Sequence, residues 1–325
     1  MTRVKSSSIL RVTLIALAVA SWAVPENGTA QSLSRPVQRQ NRVREIAPNS
    51  GGLQVPRPAT FREARDRGLL VNAWLNGRGP YTFAIDTGAG ATLVSQRLVL
   101  EAGLPVRAGR RTLLGGLSGF GSISDREATI HQIALGEREN LLPSESRAVI
   151  APSLPAGLDG ILDPTQAYHP LGYSIDLPRR RIEAFDPHIN PLSTAQQPPG
   201  GTVVRWAREA GTKRPFVRLA DGRLALVDTG SGFGFAVSEP RMAAVSKSHA
   251  GVRDLSGATI HSRRVAPTEV TIGSLVLRGL PTDVLSGTEK GAPTILGRDA
   301  LYPFRITFDP LKWLIEFAPM VEDSR

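Results

Sequence analysis

The sequence predicts an all-β protein made of two copies of one structural unit, and three observations support this. Short apolar runs alternate with turn residues, including 32 glycines and 25 prolines in 325 residues, which is typical of short strands joined by tight turns. The triplet Asp-Thr-Gly occurs twice, at 86–88 and 228–230. Matching apolar runs flank both triplets in the same order, which favours duplication of one unit.

Each triplet lies between two predicted strands. Apolar runs at 81–85 and 224–227 precede the triplets, and the runs 91–95 and 235–238 follow them. A carboxylate at the end of an apolar strand is costly unless it is paired or used. Two carboxylates in equivalent settings therefore predict one site built from two halves, with Asp86 and Asp228 at its centre.

The repeat extends beyond the triplets. Four pairs of segments share their character and their order along the chain: 71–77 with 217–222, 159–163 with 293–297, 173–177 with 304–309, and 181–185 with 313–317. One position departs from the pattern, because Asp163, followed by Pro164, stands where the second copy has Gly297. The loop after this strand is therefore expected to close differently in the two halves.

From about Leu69 to Phe317 the chain resembles aspartic peptidases of the pepsin-like and retropepsin-like group. Its short halves are similar to two retropepsin-like units joined in one chain. The resemblance implies a two-lobed acid-protease fold with a pseudo-two-fold axis and a central cleft. It also implies that Asp86 and Asp228 are the catalytic pair of an aspartic endopeptidase that needs neither cofactor nor metal.

The residues that follow the two aspartates are expected to support them. The resemblance implies that the hydroxyls of Thr87 and Thr229 bond to the backbone of the opposite turn. Gly88 and Gly230 allow a tight turn, and their amides can donate to the carboxylates.

The two halves differ at the next position, which holds Ala89 in the first half and Ser231 in the second. A hydroxyl there can bond the carboxylate and favour its charged form. We therefore expect Asp228 to stay ionised and Asp86 to carry the shared proton more often.

A glycine-rich stretch at 114–121 resembles a retropepsin flap, and its counterpart at 254–260 has fewer glycines. Such a hairpin tip can open and close at little torsional cost. The residues expected at the flap and in contact with substrate are Gly115, Gly116, Leu117, Gly119 and Phe120.

Five segments are predicted along the chain. Residues 1–30 have the basic start, apolar run and small residues of a signal peptide, which indicates a secreted or periplasmic protein; an uncleaved anchor is the alternative. Residues 31–60 are polar, Pro-rich and basic, typical of a disordered linker, or of an inhibitory pro-segment. The remainder is divided into an N-terminal lobe (61–190), an inter-lobe linker (191–201) and a C-terminal lobe (202–325).

Composition restricts the remaining classes of function. The chain has no cysteine and five histidines, none with the spacing of a metal site. The net charge of +10 favours weak association with anionic surfaces. The sequence has no motif that recognises nucleobases, so nucleic-acid binding is not predicted. The expected partner is an extended peptide or protein substrate, bound by a monomer, because both halves lie on one chain.

Two alternatives remain open at this stage. The chain could be a peptide-binding module that kept the fold without turnover, since Asp163 and the flap depart from the family pattern. It could also be a processing peptidase of narrow specificity, which would leave general substrates intact.

Overall fold

The computed structural model describes residues 54–64, 67–208, 212–238, 250–254 and 257–320. The predicted signal peptide (1–30) and most of the predicted linker or pro-segment (31–60) lie outside these residues.

The first half of the described chain is mainly β-structure. Its strands and helices follow in this order: β1 (Ala59–Thr60), β2 (Arg62–Ala64), β3 (Gly68–Leu75), β4 (Arg78–Ile85), β5 (Leu93–Ser95), α1 (Gln96–Ala102), β6 (Val106–Gly115), β7 (Gly121–Ile130), β8 (Ile133–Leu135), β9 (Ser146–Ala151), β10 (Gly160–Leu162), α2 (Pro164–Ala167), β11 (Gly172–Asp176) and β12 (Arg181–Phe185).

The second half is built in the same way. Its elements are β13 (Thr202–Arg205), β14 (Phe216–Arg218), β15 (Leu224–Asp228), β16 (Phe235–Ser238), β17 (Ala250–Arg253), β18 (Thr259–Ile272), β19 (Leu275–Ser286), β20 (Thr294–Gly297), α3 (Arg298–Leu301), β21 (Phe304–Asp309) and β22 (Leu314–Pro319). The prediction of an all-β fold is confirmed. Within the described residues, every helix is too short or too polar to cross a bilayer.

Two sheets repeat the same strand path. Among the described residues, the first sheet runs β2-β3-β4-β10-β5-β9-β7-β6, with β8 beside β3, and the second runs β14-β15-β20-β16-β19-β18-β17. The equivalent pairs β4–β10 and β15–β20 are both parallel, as are β5–β9 and β16–β19. The repeat predicted from the sequence is therefore present in the pairing of the strands.

A third sheet contains strands from both halves. Its order in the described chain is β1-β12-β11-β21-β22-β13. The order is symmetric, because β1, β12 and β11 of the first half correspond to β13, β22 and β21 of the second. The central strands β11 and β21 pair antiparallel, with Tyr173 opposite Phe308. Their rings stack with centroids 4.7 Å apart, so this sheet joins the halves through packing as well as hydrogen bonds.

The structure changes one predicted boundary. Ala59 and Thr60, assigned from the sequence to the linker at 31–60, form strand β1 and pair with Ile182 and Arg181 of β12. Ala59 is buried, because its apolar side chain packs into the core that both halves share. The other limits, at 190 and 201, stay predictions, and residues 186–201 contain neither helix nor strand.

Candidate active site

The two Asp-Thr-Gly turns meet at the centre of the molecule. Asp86 directly follows β4, and Asp228 is the last residue of β15. Each of these strands is held by a parallel partner, β10 or β20, which also ends there. Both carboxyl groups are buried, with at most 1% of either residue exposed.

Reciprocal hydrogen bonds between two threonines hold the turns together. The Thr87 hydroxyl donates to the Val227 carbonyl at 2.6 Å and accepts from the Thr229 amide at 3.1 Å. The Thr229 hydroxyl donates to the Ile85 carbonyl at 3.2 Å and accepts from the Thr87 amide at 3.1 Å. Each hydroxyl thus bonds the backbone of the opposite half, and the separation of the turns is fixed.

Each glycine of the triplets lies against the aspartate of the other half. A Cβ atom on Gly88 would lie 2.9 Å from Asp228 Cγ, and one on Gly230 would lie 2.5 Å from Asp86 Cγ. The amides of Gly88 and Gly230 each donate at 2.8 Å to Oδ1 of the aspartate in their own triplet. The glycines therefore allow the close approach of the carboxyls and also bind them.

The two carboxyl groups have different affinities for a proton. Burial raises the pKa of Asp86 well above its usual range, and the negative charge of Asp228 raises it further. Burial also raises the pKa of Asp228, but hydrogen bonds from Asp86 and from the amides of Gly230 and Ser231 oppose this. The pair titrates as a unit, and the second amide bond, from Ser231 to Asp228, favours the charged form of Asp228.

Ser231 supports Asp228 differently from the sequence-based expectation. Its amide donates to Asp228 Oδ1 at 3.1 Å, whereas its hydroxyl accepts from the Phe233 amide at 3.3 Å. The predicted bond from the hydroxyl to the carboxylate is not present, because the donors to Asp228 Oδ1 are the amides of Gly230 and Ser231. The two halves still differ here, because the Ala89 amide donates to the backbone carbonyl of Asp86 at 3.4 Å and not to its carboxyl.

Replacement of Ser231 by alanine tests this difference. Because the alanine amide still donates to Asp228, we expect the acidic limb of kcat/KM against pH to stay in place. Stability should fall by about 1–3 kcal/mol, since the Phe233 amide loses its partner. An upward movement of the acidic limb would instead restore the role predicted for the hydroxyl.

The tip of the β6–β7 hairpin, residues 116–120, contacts the second half. Leu117 is buried in an apolar cluster with Phe216, Leu226 and Phe233, and its carbonyl accepts from the Glu289 amide at 2.9 Å. Gly115 is the last residue of β6. The expected flap is therefore closed onto the second half.

The flap contacts differ in kind along the tip. Ser118 donates to Asp254 Oδ2 through its hydroxyl at 2.5 Å and its amide at 3.1 Å. A Cβ on Gly116 would collide with Asp254, and one on Gly119 would approach Glu289. Phe120, expected to contact substrate, points outward and is 71% exposed.

Two further charged residues adjoin the turns, and the sequence did not assign them to the site. Asp163 is the N-cap of α2, with Pro164 at the first helical position; an Asp-Pro pair after a strand is a recognisable helix start. In the second half Gly297 is the N-cap of α3, and Arg298, the first residue of that helix, is buried. A short helix therefore follows the strand in both halves, α2 after Asp163 and α3 after Gly297. The difference expected between these two loops is not found.

The structure offers no arrangement for a metal among the residues it describes. In that part of the chain, no three side chains of the histidine, aspartate or glutamate type are grouped to hold an ion. The expectation that neither metal nor cofactor takes part stays a prediction.

Comparison with known families adds an independent observation. Residues 71–163 match a family model described as aspartyl protease. No curated protein matches the chain. The aspartyl protease match covers the first Asp-Thr-Gly turn, the β6–β7 hairpin and Asp163, and it supports proteolytic function in general.

Proposed function

We propose that this protein is an aspartic endopeptidase in which Asp86 and Asp228 activate one water molecule. The observation that carries the proposal is the pair of buried carboxyls, delivered by two equivalent turns and locked by Thr87 and Thr229. Apart from each other, the Oδ2 atoms of both aspartates are buried without a hydrogen-bond partner among the described residues, which is costly unless a ligand completes the site. In the proposed enzyme, a bound water or the substrate carbonyl is the hydrogen-bonding partner of these oxygens.

The proposed chemistry divides the work between the two carboxyls. Ionised Asp228 takes a proton from the water as its oxygen attacks the scissile carbonyl carbon, and protonated Asp86 donates a hydrogen bond to the carbonyl oxygen. The tetrahedral intermediate then collapses, and the leaving amine receives a proton from the pair. This assignment is supported by the two amide bonds that Asp228 accepts, against the one that Asp86 accepts.

The substrate is proposed to be an extended peptide or protein segment. The carboxyls are buried and the β6–β7 hairpin is held on the second half through Asp254 and Glu289, so opening of this hairpin is the proposed route for the substrate. An extended backbone can then pair with the exposed strand edges as an added strand. A monomer suffices for this, since both aspartates come from one chain, and a secreted or periplasmic setting remains part of the proposal.

The test is cleavage of a complex peptide library by the full chain between pH 3 and 8, beside Asp86→Asn and Asp228→Asn. We expect cleavage by the parent and a fall in kcat of about 10²–10⁴-fold or more in each variant, because each loses one proton-transfer group. Peptide capture without cleavage, and equal in the variants, would support a binding module. Cleavage of one sequence alone would support a narrow processing enzyme.

A further inference from the structure

The two aspartates have neighbours of opposite charge. In the second half, Gly297 of β20 lies opposite Asp228 and is followed by Arg298. In the first half, Leu162 of β10 lies opposite Ile85, so the next residue, Asp163, lies beside Asp86. A carboxyl thus adjoins one turn, and a guanidinium adjoins the other.

Asp163 is a buried acid with a defined set of neighbours. It is 4% exposed, and its Oδ1 accepts from the Thr165 amide at 2.9 Å. Burial raises the pKa of Asp163 to about 6. Its charged and titratable neighbours are Asp86, Lys213 from the segment before β14, and Tyr173, which it contacts through Thr165.

Arg298 is a buried base bound to the second turn. Its Nη1 donates to the Thr229 carbonyl at 2.9 Å and to the Gly230 carbonyl at 3.1 Å. An arginine side chain is a cation in proteins. Its proximity lowers the pKa of Asp228 against the effect of burial.

The other charges around Arg298 do not cancel this effect. Glu63 lies 3.5 Å from Arg298 Nε and is one-third exposed, so water screens it. Asp299 follows Arg298 and is exposed, and partial desolvation raises its pKa.

We propose that Asp163 and Arg298 are positioning residues that place the shared proton on Asp86 and leave Asp228 ionised. This inference rests on the proposed function of the pair. Ionised Asp163 adds a second negative charge beside Asp86, which makes removal of its proton harder. Arg298 stabilises the anion of Asp228 and makes protonation of the pair harder. The two residues therefore widen the pH range in which the pair holds one proton: Asp163 raises its upper limit, and Arg298 lowers its lower limit.

Neutral variants separate the two effects. Asp163→Asn keeps an acceptor for the Thr165 amide and removes only the charge, so the upper apparent pKa of the pair should fall. Arg298→Gln removes the cation, so the lower apparent pKa should rise. We expect movements of about 0.5–1 unit, or about three- to tenfold in the acid dissociation constant. Arg298→Lys, which keeps the charge, should restore most of the lower value.

Two readouts on the full chain are compared. One is the carboxyl carbon-13 chemical shift of each aspartate against pH, which requires no turnover, and the other is kcat/KM against pH. Asp309→Asn serves as control, because Asp309 is also a fully buried turn acceptor, for the Leu311 and Lys312 amides. It lies outside the active-site turns, and neither pKa of the pair should move.

The outcomes distinguish this inference from the proposed function. A fall of the upper pKa in Asp163→Asn supports the inference even if no peptide is cleaved, since the titration reports on the carboxyls alone. An unmoved upper pKa in folded Asp163→Asn overturns it, even in an active peptidase. If Arg298→Gln does not fold, the upper pKa of Asp163→Asn alone decides whether the inference holds.

Discussion

Replacement of Gly230 by alanine is expected to lower kcat by about 10²–10⁴-fold, the range lost when acid–base groups are displaced. The new methyl group would lie 2.5 Å from Asp86 Cγ, well inside van der Waals contact. Either the carboxyl or the turn must move, and the geometry between Asp86 and Asp228 is lost. The amide of residue 230 is retained, so the loss is due to the collision.

The cost in stability should be about 1–3 kcal/mol, as for other overpacked buried sites. Gly222→Ala is the matched control, because Gly222 lies in a surface turn with φ at 86° and no atom within 4 Å of a new Cβ. It bears only the backbone strain of a left-handed alanine. Chemical denaturation and steady-state kinetics measure both quantities, and a parent-like kcat in Gly230→Ala would contradict the close approach of Gly230 to Asp86.

Replacement of Thr87 by valine is expected to lower the free energy of unfolding by about 2–6 kcal/mol, because two buried groups lose their partner at about 1–3 kcal/mol each. These groups are the Val227 carbonyl and the Thr229 amide. Both belong to the second half, so the loss weakens the junction of the two turns. Valine keeps the shape of threonine and therefore leaves no cavity.

Thr87→Ser provides the comparison, since it keeps the hydroxyl and removes one buried methyl group, worth about 1 kcal/mol. Denaturant unfolding of both variants gives the two free energies. If Thr87→Val and Thr87→Ser were equally stable, the hydrogen bonds between Thr87 and the second half would contribute nothing measurable.

The sequence predicted the features that repeat. Both Asp-Thr-Gly turns, their flanking strands and the later strand pairs could be predicted, because apolar periodicity and turn residues are local signals. The second copy made each weak signal stronger. The departure at Asp163 was noticed, but its role was not, since its closeness to Asp86 depends on the register between β4 and β10.

The features that were missed depend on contacts between distant residues. Arginine is rarely buried, and the carbonyls that bind Arg298 belong to residues 229 and 230. Leu117 was expected to face a substrate, but its actual neighbours in the second half could only be found once the halves were placed together. The Ser231 hydroxyl was assigned to Asp228, but the backbone amide of the same residue makes that bond, and the sequence does not distinguish the two donors.

The sheet shared by both halves has a consequence for how the site could arise. Its central strands β11 and β21 are antiparallel, so two identical chains related by a two-fold axis could build the same six strands. Such a homodimer would have the same residues beside both aspartates, so the two surroundings would carry the same charge. Two unequal halves, such as those joined in this chain, are needed to put an acid beside one aspartate and a base beside the other.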